Sequence, residues 1–201
     1  WDASAESLGI GTDSPSGASG KTVAINGGSG QARLALKNTS TGDASGDGFQ
    51  ISLDNNSGSI EMRENLPLLF TTNNTERMRI DSSGRVGIGV VPSTLWSSSY
   101  DALQIGLGGS IAAHAAAGHA LKIGSNFVYE GIAPNYYDKY LTSSTAGKYE
   151  QDNDGHKWFT AASGTAGNAI SWQERMRIDS SGSVGIGTDS PSGASGKTVA
   201  I

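Results

Sequence analysis

The sequence predicts an all-β protein of tandem repeats whose core is completed by partner chains. Three observations carry this. Strand-like runs of alternating apolar and polar residues recur about every ten residues, with no helical period. The stretch GIGTDSPSGASGKTVAI stands at residues 9–25 and returns unchanged at 185–201. Large apolar side chains are scarce: Leu, Ile, Val and Phe make up 37 of 201 residues, a level at which chains often fail to fold alone. Disorder is the other outcome of such a composition. It usually needs high net charge and few aromatics, whereas this chain has a formal charge of −5 with four Trp, six Tyr and four Phe.

Repeats set the organisation. ERMRIDSSGRVGIG at residues 76–89 returns as ERMRIDSSGSVGIG at 174–187, and GIG triplets begin at Gly9, Gly87 and Gly185. The chain therefore reads as a window on a longer array. Residues 1–8 end a preceding repeat, 9–86 form a first module, 87–184 a second and aromatic-richer one, and 185–201 begin the next.

Within the hairpin motif, Glu-Arg-Met-Arg-Ile reads as a strand. Period-two alternation places Glu76, Met78 and Ile80 on one face, with Arg77 and Arg79 on the other. Asp81 and Gly84 suit the first and fourth positions of a type I turn. Val86 and Ile88 follow as the return strand, alternating with Gly87 and Gly89. Glycine weakens a strand unless another backbone must come close. The expectation is that these glycines admit a neighbouring chain while the Ile side chains face a shared core. A plain hairpin in a monomeric sandwich is the alternative.

Further strands follow. ARLALKN alternates Ala32, Leu34 and Leu36 against Arg33, Ala35 and Lys37. GFQISLD presents Phe49, Ile51 and Leu53, and SIEMRE presents Ile60 and Met62. LPLLFTT is a short apolar run that Pro67 marks as an edge or a start. GDASGDG, DNNSG and TNN supply turns. In the second module, residues 96–172 hold eleven of the fourteen aromatics and predict a small β domain with its own core. SIAAHAAAGHALKI, at 110–123, is alanine-rich, but Gly118 interrupts it and strands flank it. It reads as a loop.

Several motifs suggest chemistry and fall short of it. GASGKT at 17–22 and 193–198 lacks the first glycine of a phosphate loop, since Pro15 stands there, and a strand-like TVAI follows it. GIGTDSPSG has the wrong spacing for a dinucleotide fingerprint. DNDG at 152–155 lacks the remaining ligands of a calcium loop. His114 and His119 are five residues apart, which suits neither one helical nor one strand face, and with His156 they complete the histidines. A symmetric assembly could still build an axial ion site from one His per chain. No nucleophile elbow or carboxylate pair stands out, so no catalytic, cofactor-binding or metal residues are assigned. Mild acidity without a Lys/Arg cluster speaks against nucleic acid. No apolar run reaches membrane-spanning length, and the lack of Cys excludes disulfides and thiolate sites.

ERMRIDSSGRVGIG followed by a Ser/Pro-rich link resembles the repeats of bacteriophage tail fibres. The strings YDALQIG, SNFVYEG and KYEQDNDGHKWFTAASGTAGNAISW extend the resemblance over both modules. It departs at VVPSTLW, which replaces TDSPSG after the first hairpin and implies a changed connection there. The resemblance implies an elongated, intertwined homotrimeric β-fibre in the virion. Such a fibre contacts other tail or fibre proteins and projects a distal tip toward a host glycan or receptor. On that reading Ile10, Met78, Ile80, Val86, Ile88, Met176, Ile178, Val184 and Ile186 are the trimer-core candidates, and the four hairpin arginines pair with acids across chains. The alternative is a carbohydrate-binding module that stacks sugars on Tyr136, Tyr137, Tyr140 and Trp158. A glycan depolymerase and a non-viral surface filament rank below it.

Overall fold

The structure is a computed structural model that describes residues 8–10, 23–28, 30–54, 56–114, 120–132, 135–191 and 199–200. Among these no helix occurs, and the all-β expectation holds. The phosphate-loop-like GASGKT segments and His119 lie outside the described residues. Packing divides the chain into two compact units, Trp1–Leu68 and Leu69–Ile201.

In the first unit, β1 (Leu8–Ile10) and β2 (Val23–Ile25) pair in parallel. β3 (Ala32–Leu36), β4 (Phe49–Leu53) and β5 (Gly58–Met62) form an antiparallel meander. Its register aligns Leu34, Ile51 and Ile60 in one row and Leu36, Phe49 and Met62 in the next. The opposite face carries Arg33, Gln50, Ser52, Ser59 and Glu61. That polar face is the covered one: Gln50 is 1% exposed, while Leu34, Leu36, Ile51, Leu53 and Ile60 are all exposed. The loop between β3 and β4 folds over the polar side. Gln50 Nε2 donates to the Ser45 and Asp47 carbonyls at 3.2 and 3.0 Å, and Arg33 Nη1 donates to Ser45 O at 2.8 Å.

Glu61 is the acceptor on which this face converges. Ser59 and Ser52 hydroxyls donate to Oε1 at 2.6 and 2.8 Å, and Arg63 Nη1 donates to Oε2 at 2.6 Å. The Ser59 bond, followed by Arg63 and Ser52, lowers the Glu61 carboxyl to about 2. A carboxyl held below its unfolded value of about 4.3 stabilises the fold above that value, and the effect is lost as pH falls through 2. Glu61→Gln is therefore expected to flatten the loss of stability between about pH 4 and 2, read as the urea midpoint against pH.

The second unit is built on one eleven-stranded sheet that runs in chain order. Its strands are β6 (Leu68–Thr72), β7 (Thr75–Ile80), β8 (Val86–Ile88), β9 (Tyr100–Ile105), β10 (Gly109–His114) and β11 (Leu121–Ser125). After a separate hairpin of β12 (Val128–Ile132) and β13 (Asn135–Lys139), it resumes with β14 (Ala146–Asp152) and β15 (Gly155–Ala161). β16 (Gln173–Asp179), β17 (Val184–Ile186) and β18 (Val199–Ala200) complete it. β10 occupies part of the alanine-rich stretch expected to be a loop. Its Ile111–Ile123 and Ala112–Lys122 pairs give those residues a ladder on β11.

Local chemistry explains the turns. Asn73 and Asn74 both have positive φ, the two-residue hairpin geometry that Asn tolerates. Asp81 and Gly84 stand where the spacing predicts, with Gly84 N donating to Asp81 O at 2.9 Å, and Asp179 with Gly182 repeats the bond. The glycines of Val-Gly-Ile-Gly act differently from expectation. A side chain at Gly87 would overlap the Val90 carbonyl and the Pro92 ring, and one at Gly185 would overlap the Thr188 carbonyl. They admit the chain's own next residues, where a neighbouring chain was expected. Gly89 and Gly187 adopt positive φ and turn the chain.

Each such strand then pairs in parallel with the strand that follows it: β1 with β2, β8 with β9, β17 with β18. The sequence repeat is thus a repeat of pairing.

The core lies on one side of this sheet. Tyr100, Ala102, Ala112, Ala146 and Ala161 face inward from its strands and meet Trp96, Phe127, Val128, Tyr140 and Ile170 from the covering segments. Small residues on the sheet leave room for the large rings above them.

Candidate functional site

The uncovered side of the sheet has a surface of its own. The register places Ile80 opposite Val86, Val86 opposite Leu103, and Leu103 opposite Ile111. It continues through Ile123, Tyr149, Trp158, Met176 and Ile186. Direct partners share a face, so nine apolar residues form one row across nine adjacent strands. Met78, Ile88 and Ile105 flank it at one end, and Ile178, Val184 and Val199 at the other. Ile123 is 43% exposed and Trp158 is 36% exposed; Ile88, Ile111 and Ile186 are exposed to a similar degree.

The eight hairpin core candidates all belong to this row or its flanks. Each is at least partly accessible in the single chain, as is Ile10 on β1. Leu103, Ile111, Ile123 and Tyr149 were missed as members. Their alternation with small or polar residues is the signal that marks them.

Beside the middle of the row lies a groove of about 430 Å³, lined by Ile123, Gly124, Tyr149, Trp158, Thr160 and Arg175 among others. His156 sits on the same face, its Nδ1 2.5 Å from the Tyr149 hydroxyl.

A bulge reorders the β16 strand. Trp158 faces Met176 but Phe159 faces Glu174, so Arg175 is the extra residue. The parity shift moves Glu174 off the Met176 face and onto that of Arg177, which donates to both its carboxylate oxygens at 2.5 and 2.7 Å. Glu76 and Arg79 form the same bidentate pair in the first copy at 2.6 Å. Each arginine holds its glutamate, and Glu76 titrates below the usual carboxylate range because of it. Arg77 and Arg175 donate to the Thr72 and Thr160 hydroxyls. Glu76 therefore pairs within its strand, where plain alternation had put it on the apolar face.

The covered side holds an ionic cluster that sequence reasoning did not single out. Asp138 on β13 accepts from Lys122 Nζ at 3.2 Å, Lys148 Nζ at 2.7 Å and Trp172 Nε1 at 2.7 Å. Lys148 also meets Glu150 at 2.7 Å. Lys122, Asp138 and Lys148 are buried. Lys122 lies over the Tyr129 ring and Lys148 over those of Phe159 and Trp172. Burial pushes the Lys122 amine below its ordinary value, and Asp138 opposes the shift. The cluster fastens the β12–β13 hairpin to the sheet and lines a cavity of about 250 Å³ with Tyr129, Tyr137 and Trp172.

Of the four sugar-stacking candidates, the three whose side chains are described do not come together. Tyr140 is core, donating to Ala162 O at 2.6 Å. Tyr137 lines the cavity beside the cluster, and Trp158 lies on the open face. The Tyr136 side chain lies outside the described residues. Among the described residues no group of three His, Asp or Glu is placed to hold a metal. Among the described residues no helix is long and apolar enough to cross a membrane.

No protein-family model matches the chain, and no curated protein matches it.

Proposed function

We propose that this chain is a structural shaft segment of a homotrimeric phage tail fibre, which holds a receptor-binding tip away from the virion. The carrying observation is the β3–β5 sheet, whose polar face is covered by its own loop while its apolar face is bare. Bare apolar surface of this kind is stabilised by burial at about 25 cal/mol per Å². Three such sheets turned toward one axis close a triangular core that buries their bare faces. The role is mechanical: each chain contributes faces, and the assembly supplies the interior.

Light scattering on the full chain is expected to give three times its 20.6 kDa mass. Ile51→Glu, at the centre of the bare face, sets like charges against one another. It is expected to weaken assembly by about 100-fold or more while leaving the single chain folded. A wild-type monomer whose melting temperature ignores dilution would overturn the reading.

A second reading, a sugar-binding module, is favoured by one observation. Tyr137 and Trp172 line a cavity with Lys122, Asp138 and Glu150, giving aromatic walls beside polar groups. A glycan array probed with the full chain separates the two; silence leaves the scaffold alone.

A further inference from the structure

We infer that the side chains of Lys122 and Asp138 join as an intramolecular amide, which fastens the β12–β13 hairpin covalently to the sheet. The bond asks nothing of a second chain, so it stands apart from the fibre reading. Contact, dryness and the surrounding charges carry it.

The reacting groups already touch. Lys122 Nζ, on β11, lies 3.2 Å from Oδ1 of Asp138 on β13, and the carboxyl carbon Cγ is one bond further. Holding two groups in reacting order is worth an effective concentration of about 10⁵ M or more. The two side chains are only 6% and 3% exposed. The amine lies over the Tyr129 ring at 4.3 Å and the Tyr100 ring at 5.6 Å. Buried charges are costly, and the amide removes two of them. Lys148 and Glu150 are left as a pair at 2.7 Å, so the remaining charges balance.

The neighbours suit each step. Burial disfavours the charged form of Lys122; Asp138 opposes this, and the Lys148 ammonium adds to it. A lysine desolvated beside another cation is an activated nucleophile. Lys148 is the other candidate, but two carboxylates hold it as a cation. Lys148 Nζ and Trp172 Nε1 both donate to Asp138 Oδ2 at 2.7 Å. Two donors thus stand where negative charge gathers once the nitrogen attacks Cγ. Glu150 stands opposite Lys122 in the β11–β14 register and lines the same cavity. It takes a proton from Nζ and returns it to Oδ1.

The step balances without an oxidant or a co-reactant. The Nζ–Cγ bond forms and the Cγ–Oδ1 bond breaks. Two of the three ammonium protons leave on Oδ1 as water, and the third stays on the amide nitrogen. The adjoining cavity of about 250 Å³ gives that water an exit. The ion pairs set the stability of the chain before the bond closes. The bond adds to it by holding the hairpin in the denatured state as well, as a disulfide does.

Mass spectrometry of the denatured full chain tests this. The wild type is expected to weigh one water less than its sequence, and trypsin is expected to release a branched peptide that joins the Lys122 and Asp138 segments. Lys122→Arg keeps the charge without the nucleophile and should restore the full mass. Glu150→Gln leaves both reacting groups in place and should slow closure at least tenfold, followed in samples taken after synthesis.

A wild type at full mass overturns the inference, whatever the number of chains in the assembly. So does a branched peptide through Lys148. A water also lost from Lys122→Arg would mark a succinimide at an Asp-Gly step such as Asp154–Gly155 and overturns it too. Closure at the wild-type rate in Glu150→Gln overturns the proton transfer assigned to that residue.

Discussion

Asp138→Ala is expected to lower unfolding stability by about 3–5 kcal/mol, the range for removing one partner of a buried ion pair. The carboxylate is shared by two buried ammonium groups and an indole N–H. Without it, Lys148 keeps Glu150, but Lys122 is left against the Tyr129 ring. Burial already lowers the Lys122 pKa, and loss of Asp138 removes the opposing attraction.

The sign of the pH effect follows. A lysine whose folded pKa lies below its unfolded value weakens the fold wherever it is protonated. The penalty is relieved as pH rises through the folded value toward about 10.4. The variant should therefore recover stability on the alkaline side more than the wild type does. Asp138→Asn, which keeps an acceptor for Trp172, should lie between the two. Replacing Lys122 by Met and Asp138 by Leu together should restore most of the loss, because no uncompensated charge stays buried. Urea unfolding followed by tryptophan fluorescence measures all of these.

Phe127→Ala is expected to cost about 3–5 kcal/mol by a different route, an unfilled cavity. Phe127 is 0% exposed, and its ring meets the edges of Trp96 and Trp172 at 6.0 and 6.2 Å between centroids. Such contacts add about 0.5–1.5 kcal/mol each beyond buried area. The loss should show in the denaturation midpoint and in the near-ultraviolet dichroism of both tryptophans. Leu107→Ala, at 70% exposure on a turn, serves as the contrast and should stay within about 0.5 kcal/mol.

These two residues also show where the sequence could and could not be read. The strands, the Asp-Ser-Ser-Gly turns and the pairing of Met78 with Ile88 follow from period and turn chemistry. Alternation states which residues share a face, but not which face the chain covers by itself. In both units the chain covers a face that carries polar residues and leaves an apolar row accessible. Lys122 sits between Leu121 and Ile123, so a reader assigns the apolar pair inward; the aromatic segments instead cover the lysine side. Gln50 is buried for the same reason, beneath a polar loop. The bulge at Arg175 has no composition signal, and it alone decides that Glu174 meets Arg177. The parallel return of β8 onto β9 depends on where the VVPSTLW link carries the chain, a tertiary fact that local propensity does not contain. The sugar candidates share only composition, and topology separates Tyr137, Tyr140 and Trp158.

The chain-order stacking of the eleven-stranded sheet bears on how the protein is made. Apart from β11 and β14, which the β12–β13 hairpin separates, each strand finds its partner in the segment just synthesised or the one about to emerge, so few pairings span long stretches of chain. A nascent polypeptide can lay this sheet down progressively as it leaves the ribosome, without waiting for distant residues.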